Sequence, residues 1–139
     1  MCIYSKTLFP KRAKEDIICF KVLDANMISP WKDFQYDFKL YKANGITSLI
    51  IDIIRNLFRK IKSISLCYTY YYNYYSIYSR GLLHSYQTYG NADTIISYWK
   101  YNNKGDFFIY KAVIPKGTYY YEGYFDIASR KLQIVEKLT

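Results

Sequence analysis

The chain has 139 residues, the usual size of one domain, and 51% of them are hydrophobic, which excludes a disordered polymer. No stretch is long and apolar enough to cross a bilayer, so no membrane partner is expected. Lys and Arg number 20 against 11 Asp and Glu, and the resulting formal charge of +9 favours anionic partners without identifying them.

The N-terminal residues and the cysteines bear on the compartment. The first residues lack the apolar core and the cleavage site of a secretion signal, so a cytoplasmic location is expected. Cys2, Cys19 and Cys67 form neither an even set nor a metal-ligand spacing, so no disulfide, metal or cofactor is predicted. We predict a single domain over 1–139, with 1–16 as a loosely packed basic segment.

The N-terminal half predicts two strands and a helix. "EDIICFKVL" is an apolar run typical of a buried strand. After Pro30, the segment "WKDFQYDFKLYKA" places Phe34, Tyr36 and Phe38 on one parity, which predicts a strand with one wet face. Asn44-Gly45 breaks the chain, and a helix over 46–66 is predicted from apolar residues three or four positions apart: Ile50, Ile53, Ile54, Leu57, Phe58 and Ile61.

Seven tyrosines lie between Tyr68 and Tyr78, and this run is predicted to be a strand. Both parities carry rings, so one face would pack in the core and the other would form the floor of a pocket. An alternative remains open, in which tyrosine replaces phenylalanine through compositional drift and every ring is core.

The C-terminal half predicts a second helix and the remaining strands. The helix begins near Asn91, carries Ile95, Ile96 and Trp99 inward, and ends within Asn102 to Gly105. A strand, a Pro-Lys-Gly turn and further extended chain follow, and the last strand carries apolar Leu132, Ile134 and Leu138. The predicted fold is therefore one compact α+β domain of five or six mostly antiparallel strands with two helices.

Ring, cation and hydroxyl side chains together predict a nucleotide site. Aromatic rings stack on bases, Lys and Arg neutralise phosphates, and Ser or His can hydrogen-bond to ribose. A structural histidine at position 84 and a plain turn at 115–117 remain the simpler interpretations of those positions. The predicted ligand-binding residues are Trp31, Tyr71, Tyr75, Arg80, His84, Ser85, Lys111, Lys116, Tyr120, Ser129 and Lys131.

Catalysis has little support in the sequence. No carboxylate pair, no Ser/His/Asp or Cys/His spacing, no Walker loop and no GxGxxG motif is identifiable. No catalytic residue is therefore predicted, and an enzyme would have to rely on His84 with a Tyr or Lys partner.

Three C-terminal segments carry a resemblance: "RGLLHSYQTYGNADTIISYW", "YKAVIPKGTYYYEG" and "IASRKLQIVEKL". They resemble small uncharacterised bacteriophage proteins of gut bacteria, and the likeness covers most of the chain except about 46–66. The order of these segments is also similar to the second half of ADP-ribosyltransferase folds, which bind NAD in a cleft. This chain has Ala128-Ser129 where that family has an acidic residue, and Glu122 lies beside the turn instead, so the likeness implies a site that holds a nucleotide without cleaving it.

Together, these features predict a phage anti-defence protein of the host bacterial cytoplasm. It would act as a sponge for a nucleotide immune signal, either of the cyclic ADP-ribose type or a cyclic oligonucleotide. The alternatives are an enzyme that cleaves such a signal through His84, an RNA or single-stranded DNA binder, and a direct protein inhibitor of a host defence enzyme. Whether a pocket closes within one subunit or between two copies in a homo-oligomer stays open.

Overall fold

The computed structural model describes residues 2–5, 7, 9–30, 34–43, 54, 75–78, 82–102 and 105–139. In chain order the elements are β1 (Cys2–Ser5), β2 (Lys11–Arg12), β3 (Ile17–Asp24), β4 (Leu40–Lys42), β5 (Tyr75–Tyr78), β6 (Leu83–Tyr86), α1 (Tyr89–Tyr101), β7 (Phe107–Ile114), β8 (Tyr119–Glu122), β9 (Asp126–Ser129) and β10 (Lys131–Lys137).

Eight of these strands form one antiparallel sheet in the order β2-β8-β9-β6-β3-β7-β10-β4. The longest pairing joins β3 and β7, in register from Ile17 opposite Ile114 to Asp24 opposite Phe107. β1 and β5 pair separately as a two-stranded sheet, and β1 lies beside β8 and β9. Within the described ranges, no helix has the length and apolar character needed to span a membrane.

The large sheet curls round on itself at Arg130. Three strands separate β9 from β10 in the sheet order, yet Arg130 is the single residue between them in the chain. In a flat sheet these strands would lie roughly 19 Å apart, because neighbouring strands are spaced by about 4.8 Å. Two residues of chain reach at most about 7.6 Å, since consecutive Cα atoms are about 3.8 Å apart. The sheet therefore closes through a strand that bends at Arg130, and it encloses an interior.

The interior of the curled sheet is the main hydrophobic core. Alternation in β3 and in β10 turns every second side chain inward, including Cys19 and Leu132, which are fully buried. Small side chains on some inward positions leave room for rings on others, as in a close-packed core. The buried members are Cys19, Leu23, Tyr36, Tyr110, Ala112, Ile114, Ile127, Leu132 and Ile134.

Helix α1 covers the outer face of β3 and β7. Its Ile96 and Trp99 pack with Val22 and Ile109, which lie on the outward parity of those strands. The helix starts where the Thr88 hydroxyl accepts a hydrogen bond from the Asn91 N–H at 3.1 Å, which satisfies one of the free N–H groups of the first turn. A second core layer therefore lies between helix and sheet.

The predicted strand and helix numbers are wrong. The described residues form ten strands, eight of them in one sheet, with a single helix of defined bounds, instead of five or six strands with two helices. The predicted helix over 46–66 lies outside the described residues except for Ile54, and the tyrosine run is described only at β5. The predicted strand of residues 17–23, the helix that buries Trp99, and the turn at 115–117 are confirmed.

Residues 34–43, the described part of the segment 31–43, are also not the single strand that the alternation predicts. Among them only Leu40–Lys42 is a strand, and Tyr36 is buried while Phe34 and Phe38 are exposed. Residues 34–36 form only an isolated antiparallel bridge with residues 27–29, in which the Tyr36 N–H donates to the Met27 carbonyl at 2.8 Å. Beyond it the Asp37 carboxylate accepts a hydrogen bond from the Phe38 N–H at 2.7 Å. Asp side chains compete with strand ladders in this way.

The N-terminal segment 1–16 contributes two strands. β1 pairs with β5, and β2 pairs with β8 at the edge of the large sheet. Ser5 and Ala13 are buried within this segment. Its described residues therefore share the packing of the sheet.

Candidate ligand-binding surface

His84 and Ser85 lie on opposite faces of the sheet. Ser85 is opposite Ile127 and points inward, whereas His84 is opposite Ala128 and points outward. Both are buried, and residue His84 as a whole is 9% exposed. The lone histidine is therefore enclosed by the fold rather than presented to solvent.

The other predicted residues of the C-terminal strands do not gather on one surface. Tyr120 and Ser129 share the inner face with Ser85, and the Ser129 hydroxyl donates to the Lys131 carbonyl at 2.9 Å. Lys111 lies on the outer face and forms an ion pair with Glu136 at 3.1 Å.

The remaining predicted residues are exposed or lie outside the described structure. Lys116 and Lys131 are exposed, and the Lys116 N–H donates to Asp16 at 2.7 Å. Trp31, Tyr71 and Arg80 lie outside the described residues, and Tyr75 is described only as part of β5. Of the two exposed residues, Lys116 lies in the turn between β7 and β8, and Lys131 is the first residue of β10.

A buried lysine lies behind His84, inside the curled sheet. Lys21 is buried, its ammonium group donates a hydrogen bond to the His84 carbonyl, and its Nζ lies 4.8 Å from the centre of the Tyr36 ring. A cation over a ring face is attracted by the ring quadrupole. Lys21 therefore links β6 to the ring of Tyr36.

The thiol beside it is unsuited to chemistry. Burial raises the pKa of Cys19 to about 11, although the neighbouring Ser85 hydroxyl and the charge of Lys21 act in the opposite direction. A thiol with so high a pKa is protonated at neutral pH and is a poor nucleophile. Among the described residues, no three His, Cys, Asp or Glu side chains gather to hold a metal ion.

Rings from the segment 34–41 pack against one another and against Tyr110 of β7, and we call these residues the aromatic surface: Phe34, Tyr36, Phe38, Tyr41 and Tyr110. The Phe34 ring centre lies 4.9 Å from that of Tyr36 and 5.6 Å from that of Tyr41, both edge to face. The ring centres of Tyr36 and Tyr41 are 4.9 Å apart, and those of Phe38 and Tyr110 are 6.2 Å apart. These are favourable aromatic geometries.

The aromatic surface has a buried layer and an exposed layer. Tyr36 is buried, and burial raises the pKa of its phenol to about 12, so it stays neutral. Phe34, whose ring packs against Tyr36, is 45% exposed, and Phe38, whose ring packs against the buried Tyr110, is 52% exposed. Lys39 has its Nζ 5.4 Å from the centre of the Tyr41 ring, and it is exposed. The exposed rings therefore lie close to a lysine and are supported by buried rings.

A second feature is a row of four cations and one tyrosine along the closure of the sheet, and we call these residues the basic seam: Arg12, Tyr119, Arg130, Lys131 and Lys42. Arg12 is opposite Tyr119 in the register of β2 and β8. The Arg130 N–H donates to the Tyr119 carbonyl at 3.0 Å, and Lys131 is opposite Lys42. Each member thus neighbours the next in the sheet or in the chain.

Sequence reasoning missed both surfaces. The alternation of Phe34, Tyr36 and Phe38 predicts a packed strand face, and the Asp37 that ends the ladder is the signal that argues against it. The seam depends on the register of five strands, and no short motif encodes it. Lys131 is the one predicted ligand-binding residue that belongs to it.

No family model, no curated protein and no solved structure matches the chain.

Proposed function

We propose that the protein binds nucleotides, with the base stacked on the exposed rings of the aromatic surface and a phosphate neutralised by Lys39. The observation that carries the proposal is that Phe34 and Phe38 remain about half exposed beside a lysine. Stacking of a base on an aromatic ring contributes roughly 1–3 kcal/mol and does not require a particular base.

The support beneath these rings favours binding over incidental exposure. Phe34 contacts two other rings, and one of them, Tyr36, is buried and lies over Lys21. A ring held in place before the ligand arrives loses less conformational entropy on binding. The aromatic surface is in this sense preorganised for a flat ligand.

The proposed biological role is sequestration of a nucleotide immune signal in the cytoplasm of an infected bacterium. Support for it comes from the resemblance of the C-terminal segments to small phage proteins, from the formal charge of +9 and from the aromatic surface. A cyclic ADP-ribose form and a cyclic oligonucleotide both offer the base and the phosphates that these groups recognise. The proposal concerns binding and assigns no catalytic role to the buried His84.

Titration calorimetry with AMP, cyclic ADP-ribose and a cyclic dinucleotide tests the proposal. We expect the unmodified protein to bind at least one of them, and Phe34→Ala or Phe38→Ala to weaken binding roughly tenfold because the base then stacks on one ring fewer. Phe125→Ala is the matched control, since Phe125 is 58% exposed in the turn between β8 and β9, outside the aromatic surface.

Absence of binding to all three nucleotides contradicts the proposal, and so does an equal weakening in Phe125→Ala. Heat release of the ligand after binding, followed by chromatography, separates sequestration from turnover. Recovery of a chemically altered nucleotide would show that the protein is an enzyme and not a protein that only sequesters the nucleotide.

A further inference from the structure

The basic seam contains two lysines that face each other directly. Lys42 and Lys131 are opposite residues on the antiparallel strands β4 and β10, and both are exposed. Opposite residues of such a pair have Cβ atoms about 5 Å apart, and like charges in this position destabilise a sheet. Within the described part of the chain, no acidic side chain lies within ion-pair distance of either lysine.

The seam continues this positive charge on both sides of the closure. Arg12 and Lys131 are exposed, Arg130 lies between β9 and β10, and Tyr119 offers an exposed ring among them. From strand spacing, the line from Arg12 to Lys42 spans roughly 15 Å. A single phosphate cannot contact all of it, whereas a ligand with several phosphates can.

Strand β4 joins the seam to the aromatic surface. Tyr41 is opposite Leu132 on the inner face, and Lys42, the next residue, is opposite Lys131 on the outer face. Lys39 lies three residues before Lys42 in the chain. A ligand with its base on Phe34 or Phe38 can therefore continue past Lys39 toward Lys42 without leaving this edge of the sheet.

We infer that the basic seam is a second, phosphate-binding subsite, and that the ligand is an oligonucleotide with at least two phosphates. The assignment rests on the proposed function for the position of the bases. Linear strands and cyclic oligonucleotides share this chemistry. The seam supplies point charges to successive phosphates, and the aromatic surface supplies the stacking.

The first test compares ligands of increasing phosphate number on the unmodified protein. AMP, a cyclic dinucleotide, a linear dinucleotide and a linear octanucleotide are titrated at several salt concentrations. We expect affinity to rise with the number of phosphates and the salt dependence to steepen with it, because each phosphate neutralised by a cation releases counterions. Whether the cyclic or the linear ligands gain more identifies the source of the oligonucleotide.

The second test removes the facing pair with Lys42→Gln and Lys131→Gln together. Oligonucleotide binding should weaken roughly tenfold or more while AMP binding is retained, and the salt slope should fall by about one for each phosphate that the variant no longer neutralises. The melting temperature should not fall, because the substitution removes a repulsion. Lys131→Gln alone is compared with Lys100→Gln, an exposed lysine on α1 with the same change of charge.

The outcomes separate this inference from the proposed function. If the double variant binds oligonucleotides as the unmodified protein does while Phe34→Ala still weakens AMP binding, the seam is not a subsite and the proposed function stands. Equal weakening in Lys100→Gln and Lys131→Gln also overturns the inference. Tripolyphosphate, which has no base, probes the seam alone: its binding to a protein that binds no nucleotide would overturn the stacking proposal and the oligonucleotide assignment together.

Discussion

The aromatic surface and the interface under α1 are both built from rings, and they differ in what covers them. Under α1, the ring centres of Trp99 and Phe107 are 4.8 Å apart, and Trp99 is buried against Val22 and Ile109. At the aromatic surface, Tyr36 and Tyr110 are buried in the same way, but Phe34, which packs against Tyr36, and Phe38, which packs against Tyr110, stay exposed. The number of rings alone therefore does not distinguish a core from an exposed aromatic surface. What distinguishes them is whether another part of the protein covers the rings.

The difference has an energetic meaning. A buried ring gains the transfer of its apolar surface from water, while a half-exposed ring leaves much of that gain unrealised. An exposed ring on a rigid support can realise the rest by contact with a ligand. Substitutions under α1 should therefore change stability, and substitutions of the outer rings should change binding.

The largest effect is expected for Trp99→Ala under α1. Removal of a buried tryptophan leaves a cavity and should lower the free energy of unfolding by about 3–5 kcal/mol. Urea denaturation measures it, with Tyr98→Ala as the control because Tyr98 is exposed on the same helix. A similar, small effect of both substitutions would contradict the packing of α1 against the sheet.

Trp99 also shows how far the sequence alone was informative. The spacing of Ile96 and Trp99 predicts the buried face of α1 because helical periodicity is local. The curl of the sheet was not predictable in this way, since it arises from the pairing of β9 and β10 with strands far apart in the chain. No local pattern specifies such a register.

For the candidate site, too, the local features were predictable and the tertiary arrangement was not. Residue types that suit nucleotides were recognisable, and Lys131 in the seam was among them. Their grouping was not, because adjacent residues such as His84 and Ser85 point to opposite faces of one strand. Whether a hydroxyl or an imidazole reaches a ligand depends on which face the core occupies, and that is a tertiary property.

An intermediate effect is expected from Asp126, on the outer face where β9 meets β6. It is opposite Tyr86, which packs against the α1 core layer, and burial raises the pKa of its carboxyl from 3.8 to about 6, partly opposed by a bond from its own backbone. The folded state therefore holds the proton more tightly than the unfolded state. The free energy of unfolding is therefore highest below about pH 4, where the Asp126 carboxyl is protonated in both states. It falls as the pH rises from there through 6, by up to roughly 3 kcal/mol for a shift of this size.

Asp126→Asn removes this titration and tests whether the carboxyl is shielded from water in the folded state. The variant should be more stable than the unmodified protein at pH 8, and the advantage should shrink toward pH 4. Thermal unfolding across this pH range measures it, with Asp93→Asn as control, since Asp93 is exposed on α1. A pH-independent difference would mean that the Asp126 carboxyl is well hydrated.

The smallest effect on stability is expected for Phe38→Ala at the aromatic surface. Phe38 is about half exposed and, among the described residues, makes a single tilted ring contact, with Tyr110, so its removal should lower the free energy of unfolding by less than about 1 kcal/mol. Tyr36→Ala, which removes the buried ring of the same surface, should cost about 3 kcal/mol or more.

Urea denaturation of these two variants decides whether the aromatic surface has two layers. A Phe38→Ala variant as unstable as Tyr36→Ala would make the outer ring part of the core, and its exposure would then have no use in binding. A stable Phe38→Ala variant with weakened nucleotide affinity would instead show that the outer ring is retained for the ligand, because the fold gains almost nothing from it.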